Sequence, residues 1–363
     1  MESVINKLKE EMINKGIRQV DIVNATELNK SYVSKVLKNT IEPSFSQMFS
    51  IINFVSPKNY YEILDDFARR VQIKDNVLSA FEYASYFCRN GLLSELIDTH
   101  RGNKKEFEEY AIVYELANNR EANRKELCRE VFGTLKSPEM KVKVLLVEAV
   151  DYYSSGEVSL ALGFSNKIKE SLESINNTFF SEALETRLFG MLANALLYHK
   201  SDVEGARKYS RLVLENSVSS LSARVSATHI LAHSYIFDNY DQSIEYFKRA
   251  CVLYSDFNES MVGEILTNEI PFLKNVHGVP LEIGKDVVCT EELLHFHVRQ
   301  GNREEAYELL NSAHLEKDSP YVKAYIGTLE KDFTKLLESQ VSLIDRGNRF
   351  FIKVVECLAR TIN

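Results

Sequence analysis

Apolar residues recur at helical spacing along the whole of this 363-residue chain, and little in the sequence can interrupt a helix. Only 14 glycines and 6 prolines are present, too few for a fold of short strands joined by tight turns. The expected fold class is therefore all-α. Apolar residues make up 45% of the chain and charged ones 26%, the balance of a fully folded protein. The length exceeds that of one compact core, so a small module joined to a larger helical array is expected. No apolar run approaches the roughly 18 residues of a membrane span. Met1–Lys15 alternates charged with apolar positions, unlike a secretory signal. A cytoplasmic protein with no membrane partner is the expectation. Cys88, Cys128, Cys251, Cys289 and Cys357 are odd in number, scattered and without a C-x-x-C pair, which argues against a disulfide framework and a zinc site.

The formal net charge of −8 speaks, taken alone, against a nucleic-acid partner. Its distribution reverses that reading for one end of the chain. Residues 1–40 hold seven Lys/Arg against five Asp/Glu, an excess of +2 that leaves −10 on the remainder. Any DNA contact belongs at the N-terminus, with an acidic body held away from phosphates.

Val4, Ile5, Leu8, Met12 and Ile13 mark a first helix that Gly16 stops. A short second helix follows over Arg18–Ala25, and Asn29 is a good N-cap for a third that starts at Lys30. Two short helices separated by a turn of three or four residues are the helix-turn-helix signature. In the third helix Val33, Val36 and Leu37 can pack inward, leaving Lys30, Ser31, Tyr32, Ser34, Lys35 and Lys38 on a face of donors and cations suited to the major groove. Pro43-Ser44 breaks the chain, and Phe45, Met48, Phe49, Ile51, Ile52 and Phe54 supply a covering fourth helix. Ile17-Arg18-Gln19, Ile22-Val23, Leu28-Asn29-Lys30-Ser31-Tyr32-Val33-Ser34-Lys35-Val36-Leu37 and Pro43-Ser44 together resemble the phage-repressor type of helix-turn-helix. The resemblance implies that Gln19 touches a phosphate while Lys30, Ser31, Tyr32, Ser34 and Lys35 face base edges or backbone. Glu27 departs from the pattern, standing in the turn where the family commonly carries glycine; Glu tolerates positive φ poorly.

Across residues 58–363 amphipathic helices succeed one another through short polar links. Tyr152-Tyr153-Ser154-Ser155-Gly156 leads to Ala161, Tyr198-His199-Lys200-Ser201 to Ala206, Tyr235-Ile236-Phe237-Asp238 to Ser243, and Gly301 to Ala306. A small residue at that place lets paired helices approach closely. These small residues are 45, 37 and 63 positions apart, irregular beside the helix-pair unit of the tetratricopeptide repeats they resemble. The expected architecture is an N-terminal helix-turn-helix domain (1–57), a right-handed superhelix of degenerate tetratricopeptide-like helix pairs (58–340) and a C-terminal capping or dimerisation segment (341–363). A concave superhelical surface commonly receives a peptide or protein segment. Phe350, Phe351, Val354, Val355 and Leu358 make the last segment strongly apolar. It can cap the final repeat, or it can pair two chains so that a twofold dimer matches a palindromic operator.

The layout as a whole resembles the peptide-responsive regulators of Gram-positive bacteria and their phages. Within that group the order of Phe45-Ser46-Gln47-Met48-Phe49, Ala80-Phe81-Glu82-Tyr83-Ala84, Arg207-Lys208-Tyr209-Ser210 and His233-Ser234-Tyr235-Ile236-Phe237-Asp238 is most similar to the arbitrium receptors (AimR) of Bacillus phages. The resemblance implies a homodimer that binds a double-stranded DNA operator and activates a transcript opposing lysogeny. A secreted signalling peptide of about six residues switches it off by entering the repeats. Such receptors hold the peptide with Asn and Arg side chains; Asn194 and Arg224 match those roles, and Tyr198 stands where a second Asn is expected. His229 and His233, four apart on one helix, can line the same groove. Plainer readings stay open: Asn194, among Met191, Leu192, Leu196 and Leu197, must give its amide to a neighbouring helix or a ligand, and Arg224 can be an exposed ion-pairing residue. His229 and His233 have metal spacing, but no Glu or Cys completes a set, so no metal or other cofactor is expected. His295 and His297 flank Phe296 on different helix faces and read as structural.

No enzyme is expected, since no Walker loop, G-x-G-x-x-G, H-E-x-x-H or G-x-S-x-G occurs. The alternative function is a tetratricopeptide-type, peptide-responsive inhibitor of a partner protein that does not touch DNA.

Overall fold

A computed structural model describes residues 1–103, 105–119, 123–255, 258–282, 287–312, 315–316 and 318–362, apart from the side chain of Glu106, and its regular structure is entirely helical. The chain forms two compact units, 1–154 with 159–185, and 155–158 with 186–363. No helix among the described residues is long and apolar enough to cross a membrane.

The first unit opens with α1 (Glu2–Asn14), α2 (Gln19–Thr26), α3 (Lys30–Leu37) and α4 (Phe45–Val55). It continues through α5 (Tyr60–Ala68), α6 (Lys74–Tyr86), α7 (Asn90–His100), α8 (Lys105–Asn118), α9 (Arg124–Thr134), α10 (Pro138–Ser154) and α11 (Val158–Glu173). Gly16 ends α1 as expected: at φ +65° its N–H reaches the Ile13 carbonyl at 3.1 Å while Ile17 reaches Met12 at 2.8 Å. Helix α4 starts on the Ser44 side chain, whose oxygen accepts from the Gln47 N–H, and buries Phe45, Met48, Phe49, Ile51, Ile52 and Val55. Phe54, grouped with this set from the sequence, is instead 38% exposed. It lies nine residues after Phe45, which at about 100° per residue puts it on the opposite side of the helix.

Helix α4 is bolted to later helices of the same unit. The Phe45 ring lies 4.7 Å from Phe179, 5.4 Å from Phe67 and 5.6 Å from Tyr83. Asn76 on α6 accepts from the Phe45 N–H at 2.8 Å and donates to the Pro43 carbonyl at 2.9 Å, satisfying the entry to α4 from the side. Deeper in, Lys143 of α10 is buried with its ammonium 2.5 Å from the fully buried Glu82 of α6, and the Tyr114 hydroxyl donates to the same carboxylate at 2.7 Å. Two charges out of water persist only when paired and hydrogen-bonded.

Helix α12 (Thr178–Asn194) leads into the second unit and continues as a π-helical turn, Ala195–His199. Then come α13 (Val203–Glu215), α14 (Leu221–Ser234), α15 (Tyr240–Tyr254) and α16 (Glu259–Glu264). A second π turn, Ile265–Glu269, joins α16 to α17 (Ile270–His277), and α18 (Thr290–Gln300), α19 (Arg303–Ser312), α20 (Pro320–Glu330), α21 (Phe333–Asp345) and α22 (Ile352–Ala359) complete the chain. Consecutive helices pack as pairs: α13 on α14, α14 on α15, α18 on α19, α20 on α21. The small residues singled out from the sequence, Ala161, Ala206, Ser243 and Ala306, are all fully buried. Ser243 also donates to the Ala232 carbonyl at 2.8 Å, so a hydroxyl is tolerated where α15 crosses α14.

The C-terminal segment corrects one expectation. Phe350, Phe351, Val354, Val355 and Leu358, expected to pair two chains or to cap the last repeat, are buried in the core of their own chain, against residues of α17, α18, α20 and α21, which takes these five side chains off the surface that a pairing would use. The exposed apolar stripe in this region lies on α21, where Phe333, Leu337, Val341 and Ile344 recur at helical spacing.

Removing the Lys143 ammonium by Lys143→Met should cost about 3 kcal/mol, because it strips a cation from a carboxylate with no access to water. Adding Glu82→Gln should recover most of that loss. Urea unfolding of the two variants and the double variant measures it; additive losses would contradict the pairing.

Candidate functional site

Two groups of side chains have the geometry of binding sites, one in each unit. In the first unit α2 and α3 are separated by Glu27–Asn29, and the Asn29 side chain accepts from the Ser31 N–H at 2.8 Å, capping α3 as its residue type requires. Val33, Val36 and Leu37 are buried, which turns Lys30, Ser31, Lys35 and Lys38 to solvent, with Ser34 half-buried beside them. Among the described residues no ion pair engages the three lysines. Tyr32 and Gln19 have internal duties: the Tyr32 hydroxyl oxygen accepts from the Ser44 N–H at 3.3 Å, and the Gln19 amide donates to the Lys30 carbonyl at 3.0 Å, locking α2 against the start of α3. Glu27 adopts φ +56°, the left-handed conformation that the glycine of related turns takes freely. Glu27 therefore bears the strain of a left-handed turn residue.

The second unit holds a recess of about 370 Å³. Its walls come from His233 on α14, Asn268 and Glu269 on the second π turn, Phe272 on α17, Glu291 and Glu292 on α18, Tyr321 on α20, and Arg346, Asn348 and Phe351 after α21. One line of polar contacts organises the wall on the α14 side. The Tyr198 hydroxyl, carried by the first π turn, is 2.8 Å from His233 Nδ1. His233 Nε2 lies 3.2 Å from one Glu269 oxygen, and His229 Nε2 lies 2.6 Å from the other. Burial depresses the His233 pKa below the ordinary imidazole range. Burial alone would raise Glu269, but the two imidazoles hold its carboxyl well below the usual carboxylate range. Phe351 covers the line, edge-on to His233 at 5.8 Å and parallel to Tyr198 at 6.2 Å. Gly347 passes so close to the His199 ring that a Cβ would collide with it, and its φ of +75° also demands glycine.

Opposite, Ser319 donates to Glu291 at 3.0 Å and burial raises the Glu291 pKa. Glu292 accepts from Asn275 at 2.9 Å and faces His295 Nδ1 at 3.1 Å. His295 is stacked on Tyr325 at 4.6 Å, a structural role of the kind expected for it.

The residues singled out for a ligand are not all brought together. His233 lines the recess, with Tyr198 and His229 directly behind it. Asn194 donates its amide to the Gly190 carbonyl of its own helix at 2.9 Å. Arg224 donates to the Leu214 carbonyl at 3.2 Å and lines a separate surface depression with Thr228, Glu245 and Arg249. It precedes His229 by five positions on α14, which at about 100° per residue turns it some 140° away. The expectation that no Glu or Cys completes a set with His229 and His233 is overturned by Glu269, whose oxygens reach both rings.

The profile of the AimR transcriptional regulator-like family matches residues 60–356. This chain belongs to that family. Among solved structures, the selenomethionine form of phAimR superposes with a TM-score of 0.79 at 18% identity, covering 99% of this chain and 97% of that one. A phAimR–ligand structure superposes with a TM-score of 0.61 at 19% identity, over 88% of this chain and 98% of that one. Curated proteins yield no match. At such identities the two structures speak for the fold of this AimR-like chain. No sequence signal marks Glu269, because the π turn adds a residue to the helical register and breaks the spacing from which a shared face is read. Asn268, Arg346 and Asn348 escape sequence reasoning for a related reason: each stands at a turn or helix end, outside any periodic pattern.

Glu27→Gly in this AimR-like chain should stabilise the first unit by about 0.5–1 kcal/mol, the relief of left-handed strain less the entropy a glycine adds to the unfolded chain. Urea unfolding of the full chain tests it, and a destabilised variant would contradict the strain.

Proposed function

We propose that this AimR-like protein is a DNA-binding transcriptional regulator switched by a short secreted peptide, deciding between lysis and lysogeny for a phage. Residues 1–57 read the operator, 58–340 form the peptide-binding repeats and 341–363 cap them. As a dimer without peptide it binds a palindromic operator and activates transcription; peptide switches it off. The observation that carries the reading is a capped helix whose exposed face bears three lysines that no ion pair engages among the described residues, in a chain whose other unit holds a polar recess. Lys30, Lys35 and Lys38 contact phosphates, and Ser31 and Ser34 read base edges. Gln19 and Tyr32 orient the helix and touch the backbone from its flanks.

The peptide enters the recess. Glu269, Glu291 and Glu292 line it with a single guanidinium, Arg346, among the described residues, so a peptide with a cationic group is its complement. Asn348 and Asn268 offer amides to peptide carbonyls and N–H groups, the role expected of Asn194 from its sequence position. Dimerisation uses the α21 stripe. Leu337 and Val341 are flanked by Lys323, Glu338 and Asp345, charges of both signs, as a face that meets its own copy about a twofold axis requires.

In gel shifts on DNA from beside its own gene, the wild-type chain should give a specific complex that the cognate peptide dissolves. Lys30→Ala with Lys35→Ala, two lysines on each of two protomers, should weaken that complex and reduce the slope of log affinity against log salt by about 4. An unaltered slope would remove the groove assignment, and absence of any complex would favour the partner-inhibitor reading. Leu337→Glu with Val341→Glu should turn a dimer into a folded monomer by light scattering; a persisting dimer would move the interface elsewhere.

A further inference from the structure

The line Tyr198, His233, Glu269, His229 has more structure than a peptide wall needs. His229 and His233 stand one turn apart on α14 with ring centroids 4.6 Å apart, and both aim Nε2 at one carboxylate from a different helix. The three donor atoms lie within 4.8 Å of one another. Tetrahedral coordination at about 2.0–2.1 Å needs donors separated by roughly 3.3 Å, against the 2.6 and 3.2 Å found between the rings and the carboxylate. Small side-chain rotations reach that geometry. Tyr198 supplies the outer support that metal-bound imidazoles regularly have: its oxygen sits 2.8 Å from His233 Nδ1, fixing the ring and leaving Nε2 to the ion. Without an ion the same atoms are satisfied by two Nε2–H donors to Glu269, with Tyr198 donating to Nδ1. Binding therefore requires each ring to carry its proton on Nδ1 in place of Nε2, with the His233 Nδ1–H then donating to the Tyr198 oxygen, and no rebuilding.

We propose that His229, His233 and Glu269 form a binding site for a divalent transition cation of the zinc class, with its remaining coordination position open toward the recess. Two imidazoles and one carboxylate with a free fourth position are a donor set that zinc accepts readily. The residues are each a little exposed, 12–16% by side chain, so the ion has an entry path through the recess. Bound there, it clips α14 to the π turn before α17 and offers the recess a Lewis-acidic corner to which a ligand carboxylate or carbonyl can bind.

The test uses the full chain, stripped with a chelator and titrated with Zn²⁺ by calorimetry and with Co²⁺ by visible absorption. One ion per chain is expected, with the intense d–d absorption of four-coordinate Co²⁺. Glu269→Gln and His229→Gln should each weaken binding more than tenfold, and Tyr198→Phe should weaken it about 10–100-fold while its far-UV circular dichroism stays that of the wild type. Binding of no stoichiometric ion by the folded wild-type chain overturns the proposal, as does equal affinity in Glu269→Gln. Neither titration uses DNA or peptide, so failure here leaves the proposed regulatory function standing.

Discussion

The second unit depends on a carboxylate shared between two histidines. Glu269 is largely buried, and a buried carboxylate persists only where donors surround it. His229 and His233 supply those donors, and Tyr198 fixes the tautomer of His233 from behind. Both oxygen-bearing partners of His233 ride on π turns, Tyr198 on Ala195–His199 and Glu269 on Ile265–Glu269. An extra residue per turn distorts the helix, yet here it aims two side chains at α14 that a regular helix would direct elsewhere. The capping segment then seals the arrangement: Phe351 lies over the His233 and Tyr198 rings, and Gly347 makes room by passing against His199. The recess exists because a polar line, an aromatic lid and a glycine turn meet at one place.

The first unit rests on a different balance. Its helix-turn-helix is fixed by local chemistry: the Asn29 cap, the Gln19 bond to the Lys30 carbonyl, and Glu27 held left-handed where glycine would be relaxed. The exposed lysine face results from the burial of Val33, Val36 and Leu37. Phe45, packed among Phe67, Tyr83 and Phe179, ties this small module to the helices after it. Movement of those helices is therefore felt at α4.

Much of this was legible from residues alone. The all-helical class, the helix ends at Gly16 and Asn29, the inward set of α3 and the buried small residues Ala161, Ala206, Ser243 and Ala306 all reflect periodicity and capping, which act over a few residues. The errors share a cause. Whether Phe350 to Leu358 cap their own chain or meet a second one depends on what surrounds them, and an apolar helix reads the same in both settings. Glu269 was invisible because the residues that give it a purpose lie 36 and 40 positions earlier. Arg224 was matched to the Arg of the receptors the chain resembles, and the helix turns it toward another face than that of His229.

On the proposed function, the two sites communicate thermodynamically, through arrangements of the proposed dimer that differ in affinity for operator and peptide. Any such coupling is reciprocal. The direct measurement is the affinity of the cognate peptide for the free protein and for the protein saturated with operator, taken at one salt concentration. Operator is expected to weaken peptide binding by the same factor by which peptide weakens operator binding. Equal peptide affinity for the free and the DNA-bound protein would contradict a peptide-controlled switch.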